Sequence, residues 1–71
     1  MDAAYAQFGA TLRRLRLEAG LTQEQLGQRA TMDLSAISRL ERGQRNLRLD
    51  TLVRLARALD VPPAALLEDV R

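Results

Sequence analysis

The chain contains no cysteine, no histidine, no tryptophan and no lysine, and Tyr5 and Phe8 are its only aromatic residues. Without cysteine there is no disulfide framework and no thiolate nucleophile. Without histidine the commonest general base and the commonest metal ligand are both missing. There is no glycine-rich phosphate loop and no paired-acid pattern at a credible site. An enzyme is therefore not expected, nor is a cofactor, a metal or a small-molecule ligand. No apolar run approaches the roughly 20 residues of a membrane-spanning helix, and no signal-peptide pattern precedes the domain. The expected compartment is the cytoplasm of a bacterial cell. The 71 residues allow one small domain, 1–71. A core of that size is marginal, and dimerisation is a common remedy. With hydrophobic residues at 46% and aromatics at 3%, the core must be leucine-rich and helical.

The net charge of +2 does not by itself point to nucleic acid, but its make-up is distinctive, because all eleven cations are arginine. Arginine presents a planar fork of donors suited to phosphate and to guanine edges. Codon bias in a GC-rich genome would produce the same preference, though it would not by itself place the arginines where they fall.

The apolar spacing gives an all-α reading with five helices. Phe8, Leu12, Leu15 and Ala19 form one face of a helix from about Ala4 to Ala19, with Gly20 as a left-handed C-terminal cap. Thr22 opens a second helix, about Gln23 to Ala30, with Gln25 completing a capping box and Leu26 facing the core. Asp33 is the expected N-cap of a third helix to about Arg42. Ile37 and Leu40 face inward there, Met32 packs before the cap and Gly43 ends the helix. After the polar loop Gln44 to Arg48, the residues Leu49, Leu52, Leu55, Ala56 and Leu59 mark a fourth helix. Val61 and Pro62-Pro63 break the chain, and Pro63 suits the first turn of a last helix to about Asp69. Leu66, Leu67 and Val70 form its apolar face.

The segment from Leu21 to Gly43, LTQEQLGQRATMDLSAISRLERG, carries most of the functional signal. It reads as two short helices joined by a tight turn. The second presents small polar and arginine side chains outward, a shape that fits the major groove of DNA.

Four elements in order make the chain similar to the Cro/phage-repressor-type helix-turn-helix family, also called the XRE family. They are LRRLR at Leu12 to Arg16, GLTQEQL at Gly20 to Leu26, AISRLERGQRN at Ala36 to Asn46, and TLVRLARAL at Thr51 to Leu59. The length and the ERGQRN turn most resemble the controller proteins of restriction–modification systems. The resemblance implies a compact phage-repressor-type domain and a homodimeric regulator that binds specific double-stranded DNA. Four positions depart from the expected pattern. Thr31 stands where a glycine is usual between helices two and three, and a β-branched residue is costly at positive φ, so another turn geometry is expected. Gly27 replaces a usual alanine where the two helices approach closely. Leu34 and Ala36 stand where controller proteins often carry a long polar or basic residue and an aromatic, so base readout does not carry over there.

Leu34, Ser35, Ser38 and Arg39 are the candidate base readers. Arg39 can bond guanine O6 and N7 bidentately; its plain alternative is a surface ion pair with Glu41 or Asp33. Leu34 would meet a thymine methyl or else pack in the core or the turn. Thr22 and Gln23 at the start of helix two, and Arg42, Arg45, Asn46 and Arg48 around the following loop, are candidate phosphate contacts. For these the alternative is ordinary solvation. Glu41 faces an unfavourable helix dipole and needs a compensating partner; in the family it pairs with the arginine matching Arg16. Val61, Leu66, Leu67 and Val70 are the candidate dimer interface, with Leu66 also closing the core. The competing functional class is a protein-interaction module, an antitoxin or phage accessory factor, against which stands the lack of a toxin-binding tail after helix five.

Overall fold

In the computed structural model, which describes residues 3–44 and 46–71, five helices follow one another. They are α1 (Ala3–Glu18), α2 (Gln23–Ala30), α3 (Leu34–Glu41), α4 (Leu49–Leu59) and α5 (Pro63–Leu66). Among the described residues every regular element is helical, as the leucine spacing requires.

Local hydrogen bonds set the helix ends. After α1, Gly20 takes φ 74°, and the Leu21 N–H donates back to the Arg16 carbonyl at 3.1 Å. This is the glycine-closed helix end that satisfies otherwise orphaned carbonyls. At the start of α2 the Thr22 hydroxyl accepts from the Gln25 N–H at 3.1 Å, and the Gln25 side chain accepts from the Thr22 N–H at 2.9 Å. Asp33 does occupy the N-cap of α3 in extended conformation, but its side chain makes no capping bond. Position alone therefore did not guarantee the cap.

The core is built from Phe8, Leu12, Leu26, Ile37, Leu40, Leu55 and Leu66, with Leu21, Ala30, Leu52, Ala56 and Leu59 around them. α1 lies directly on the end of α3. A Cβ on Gly9 would stand against the Leu40 carbonyl oxygen and 2.5 Å from that of Glu41. Glycine inside a helix costs about 1 kcal/mol relative to alanine, and here it admits backbone-to-backbone contact.

Several expectations are corrected. Ala19 is exposed, because α1 ends before it. Leu49 is 76% exposed, since it opens α4 and looks away from the core. The last helix stops at Leu66, not near Asp69. The chain beyond it turns back on α1, where the Thr11 hydroxyl donates to the Asp69 carboxylate at 3.2 Å and the Arg71 N–H to the Gln7 side chain at 3.1 Å. Thr31 does adopt the left-handed conformation, with φ 56° and ψ 51°; the expected alternative geometry is not used.

Candidate nucleic-acid interface

On α3 the residues Ala36, Ile37 and Leu40 are buried, which leaves Leu34, Ser35, Ser38 and Arg39 on the opposite side of an eight-residue helix. Ser35 and Arg39 are exposed and Ser38 is half-buried. Leu34 is 49% exposed, so it is not a core residue. It lines, with Thr22, Gln23 and Glu24, a shallow groove at the start of α2. A leucine held there at the rim of α3 offers an apolar contact next to polar ones.

The base of α3 is tied down by a network around one carboxylate. The Arg16 Nε donates to Glu41 Oε2 at 2.6 Å, and its Nη2 donates to Glu41 Oε1 at 3.1 Å. The remaining Arg16 nitrogen donates to the Leu21 carbonyl at 2.8 Å. The two side chains are only 9% and 4% exposed. Such a two-bonded pair is stronger than a single contact. It joins α1, the α1–α2 connection and the end of α3 at one point. Glu41 Oε1 also accepts from the Gln23 side-chain amide at 3.1 Å. Gln23 is the first residue of α2, so the same carboxylate that braces α3 orients the side chain at the start of α2. Glu41 is thus committed to Arg16 and Gln23, which removes one of the two ion-pair partners, Glu41 and Asp33, considered for Arg39.

The arginines after α3 are held less firmly. Arg42 and Asn46 are exposed. Arg48 makes an exposed 3.3 Å ion pair with Asp50, a kind of contact that contributes little to stability and exchanges readily. Arg45 lies outside the described residues. Of the candidate interface residues at the other end of the chain, Leu67 is 40% exposed, while Leu66 is fully buried. Leu66 therefore belongs to the core and not to a surface. Val61 and Val70 are half-buried against that core.

Sequence reasoning missed two connections. It treated Gln23 and the Arg16–Glu41 pair separately, and it gave no role to Arg54. The Arg54 Nε donates to the Ala30 carbonyl at 3.0 Å, and its Nη2 donates to the Thr31 carbonyl. The one available signal was Thr31 itself, a β-branched residue for which a left-handed turn is costly.

Residues 7–69 match the family model of the helix-turn-helix domain. The chain is 47% identical over 53 residues to the uncharacterized HTH-type transcriptional regulator y4dJ of Sinorhizobium fredii, covering 75% of this chain and 69% of that protein. It is 37% identical over 62 residues to the control protein C.BamHI of Bacillus amyloliquefaciens, covering 86% of this chain and 76% of that one. The crystal structure of the restriction–modification controller protein C.AhdI from Aeromonas hydrophila superposes with a TM-score of 0.90 at 43% identity. That match covers 92% of this chain and 98% of C.AhdI.

Proposed function

Because the chain belongs to the helix-turn-helix domain family and is a DNA-binding transcriptional regulator, we propose that it works as a homodimer. Each α3 reads the major groove of one half-site, in the role of a restriction–modification controller protein. The observation that carries this reading is the division of α3. Its inner face is sealed into the core, and its outer face carries Ser35, Ser38 and the exposed Arg39 over a base braced by Arg16 and Glu41. A rigid helix with short polar side chains and one long fork of donors suits base edges better than a flexible basic loop would.

In this reading Arg39 contacts a guanine, Ser35 a base or a phosphate, and Leu34 a thymine methyl. Gln23 keeps one amide hydrogen on Glu41 and turns the other toward a phosphate, beside the free N–H groups at the start of α2. Thr22, Arg42, Arg45, Asn46 and Arg48 add backbone contacts. Leu67, with Val61 and Val70 at its margin, forms the seam between two copies. No catalytic step, metal or small molecule enters, and the place of action is the cytoplasm, where bacterial DNA lies. Selection of bound sites from a random duplex library tests the proposal. It should return a two-fold symmetric site; recovery of unrelated sequences without a shared motif would count against it.

A further inference from the structure

The turn between α2 and α3 is closed by a residue that belongs to neither helix. Thr31 holds φ 56° and ψ 51°, a conformation that glycine adopts freely and a β-branched residue at a cost. Local bonds close the end of α2: the Met32 N–H donates to the Gly27 carbonyl at 2.8 Å, and the Thr31 N–H is shared between the Gly27 carbonyl and, at 3.4 Å, the Gln28 carbonyl. The start of α3 has no side-chain cap from Asp33. These local bonds end α2, but none of them engages the carbonyls of Ala30 and Thr31, on which the path into α3 continues.

We infer that Arg54 is the positioning residue of the recognition helix: its guanidinium, held on α4, grips the carbonyls of Ala30 and Thr31 together and so sets the backbone of Thr31 and the direction of α3. The geometry makes this more than an ordinary surface bond. The Ala30 carbonyl lies in the peptide plane that precedes the Thr31 Cα, and the Thr31 carbonyl lies in the plane that follows it. The relative orientation of two rigid peptide planes is the φ and ψ of the residue between them. A guanidinium is itself rigid and planar, with its donors in a fixed fork. Two bonds from one fork therefore hold both planes in one relation. The fork stands on a firm base, because α4 buries Leu52, Leu55, Ala56 and Leu59. A lysine would supply the charge but only a single rotating ammonium, which does not define two planes.

This inference rests on the reading of α3 as the base-reading helix, and its test separates the two. The variants are Arg54→Met, Arg54→Lys and the double change Thr31→Gly with Arg54→Met. In the free proteins, residual dipolar couplings give the angle between α2 and α3, and the amide–Hα coupling of residue 31 reports its φ. Arg54→Met and Arg54→Lys should change both. At temperatures where circular dichroism shows a full complement of helix, each should weaken binding to the duplex selected from a random library by about tenfold, the size of one lost base contact. Binding to a scrambled duplex should be nearly unchanged, and so should the salt slope. The double variant should regain thermal stability without regaining affinity, since glycine relieves the turn but fixes no direction.

A wild-type coupling and interhelical angle in Arg54→Met would overturn the inference whatever the DNA results. Full operator affinity in Arg54→Lys would do the same. So would a salt slope lowered by about one per subunit, which would make Arg54 a phosphate contact. If the unmodified protein does not prefer the selected duplex over the scrambled one, the reading of α3 fails, and the couplings still decide the role of Arg54. Should Arg54→Met not fold, Arg54→Lys and the double variant carry both comparisons.

Discussion

Arg16 and Glu41 meet with side chains 9% and 4% exposed, and that burial decides what the pair does. Two charges taken out of water gain little net stability from each other, but leaving one of them alone is severe, at about 3–5 kcal/mol. Arg16→Met should therefore destabilise the domain by about 3 kcal/mol, and a second change, Glu41→Leu, should restore a substantial part of the loss. Urea denaturation of the two single variants and the double variant checks this; additive losses would show that the two side chains are not coupled. Thr31 gives the opposite sign. A left-handed conformation costs a residue with a Cβ about 1–2 kcal/mol, and glycine's extra freedom in the unfolded chain returns part of that. Thr31→Gly should raise stability by up to about 1 kcal/mol, which for a domain of this size is a shift of roughly 4–8 °C in Tm. A lower Tm would show that the threonine side chain contributes something its backbone angles do not reveal.

At the scale of the helices, α1 tests whether packing or intrinsic propensity governs. Propensity favours Gly9→Ala by about 1 kcal/mol. A Cβ there, however, would stand against the carbonyl oxygens of Leu40 and Glu41, which are backbone atoms and cannot rotate aside. Overpacking of this kind costs about 1–3 kcal/mol, so Gly9→Ala should lower Tm; a rise would mean that α1 shifts along α3 without penalty.

The same contrast between local and distant bonds explains which elements were legible in the sequence. The bounds of α2 were readable because both its ends are made by neighbours: Thr22 with Gln25 at the start, and Gly27 with Met32 at the end. The last helix was overextended because Leu66, Leu67 and Val70 keep a helical spacing. The chain there follows tertiary bonds instead, from Thr11 to Asp69 and from Gln7 to Arg71. Thr31 pointed to another turn geometry because of its β-branched side chain, and the bond its carbonyl accepts from Arg54 comes from 23 residues away, where no local pattern shows it. Gln23 likewise meets Glu41 across 18 residues, a contact that no periodicity announces. The outward face of α3 was legible, because Ala36, Ile37 and Leu40 define its inward face by spacing alone.

For the whole molecule, the exposed Leu67 beside the half-buried Val61 and Val70 makes the α5 end the expected seam between two copies. Leu67→Asp should yield folded monomers in sedimentation, whereas Leu66→Asp should unfold the chain because Leu66 is fully buried. A Leu67→Asp dimer would move the seam elsewhere. If two recognition helices enter successive major grooves on one face of the duplex, their half-sites lie about 10 base pairs apart or at a multiple of that. The central claim is that α3 reads bases while the residues around it hold the backbone. Binding isotherms of the unmodified protein, Arg39→Ala and Arg42→Ala, on selected and scrambled duplexes at several salt concentrations, test it most directly. Arg39→Ala should cost about 1–3 kcal/mol on the selected duplex alone, and Arg42→Ala should weaken both duplexes alike and reduce the salt slope by about one per subunit. Equal weakening of both duplexes by Arg39→Ala would contradict the account and make Arg39 a phosphate anchor.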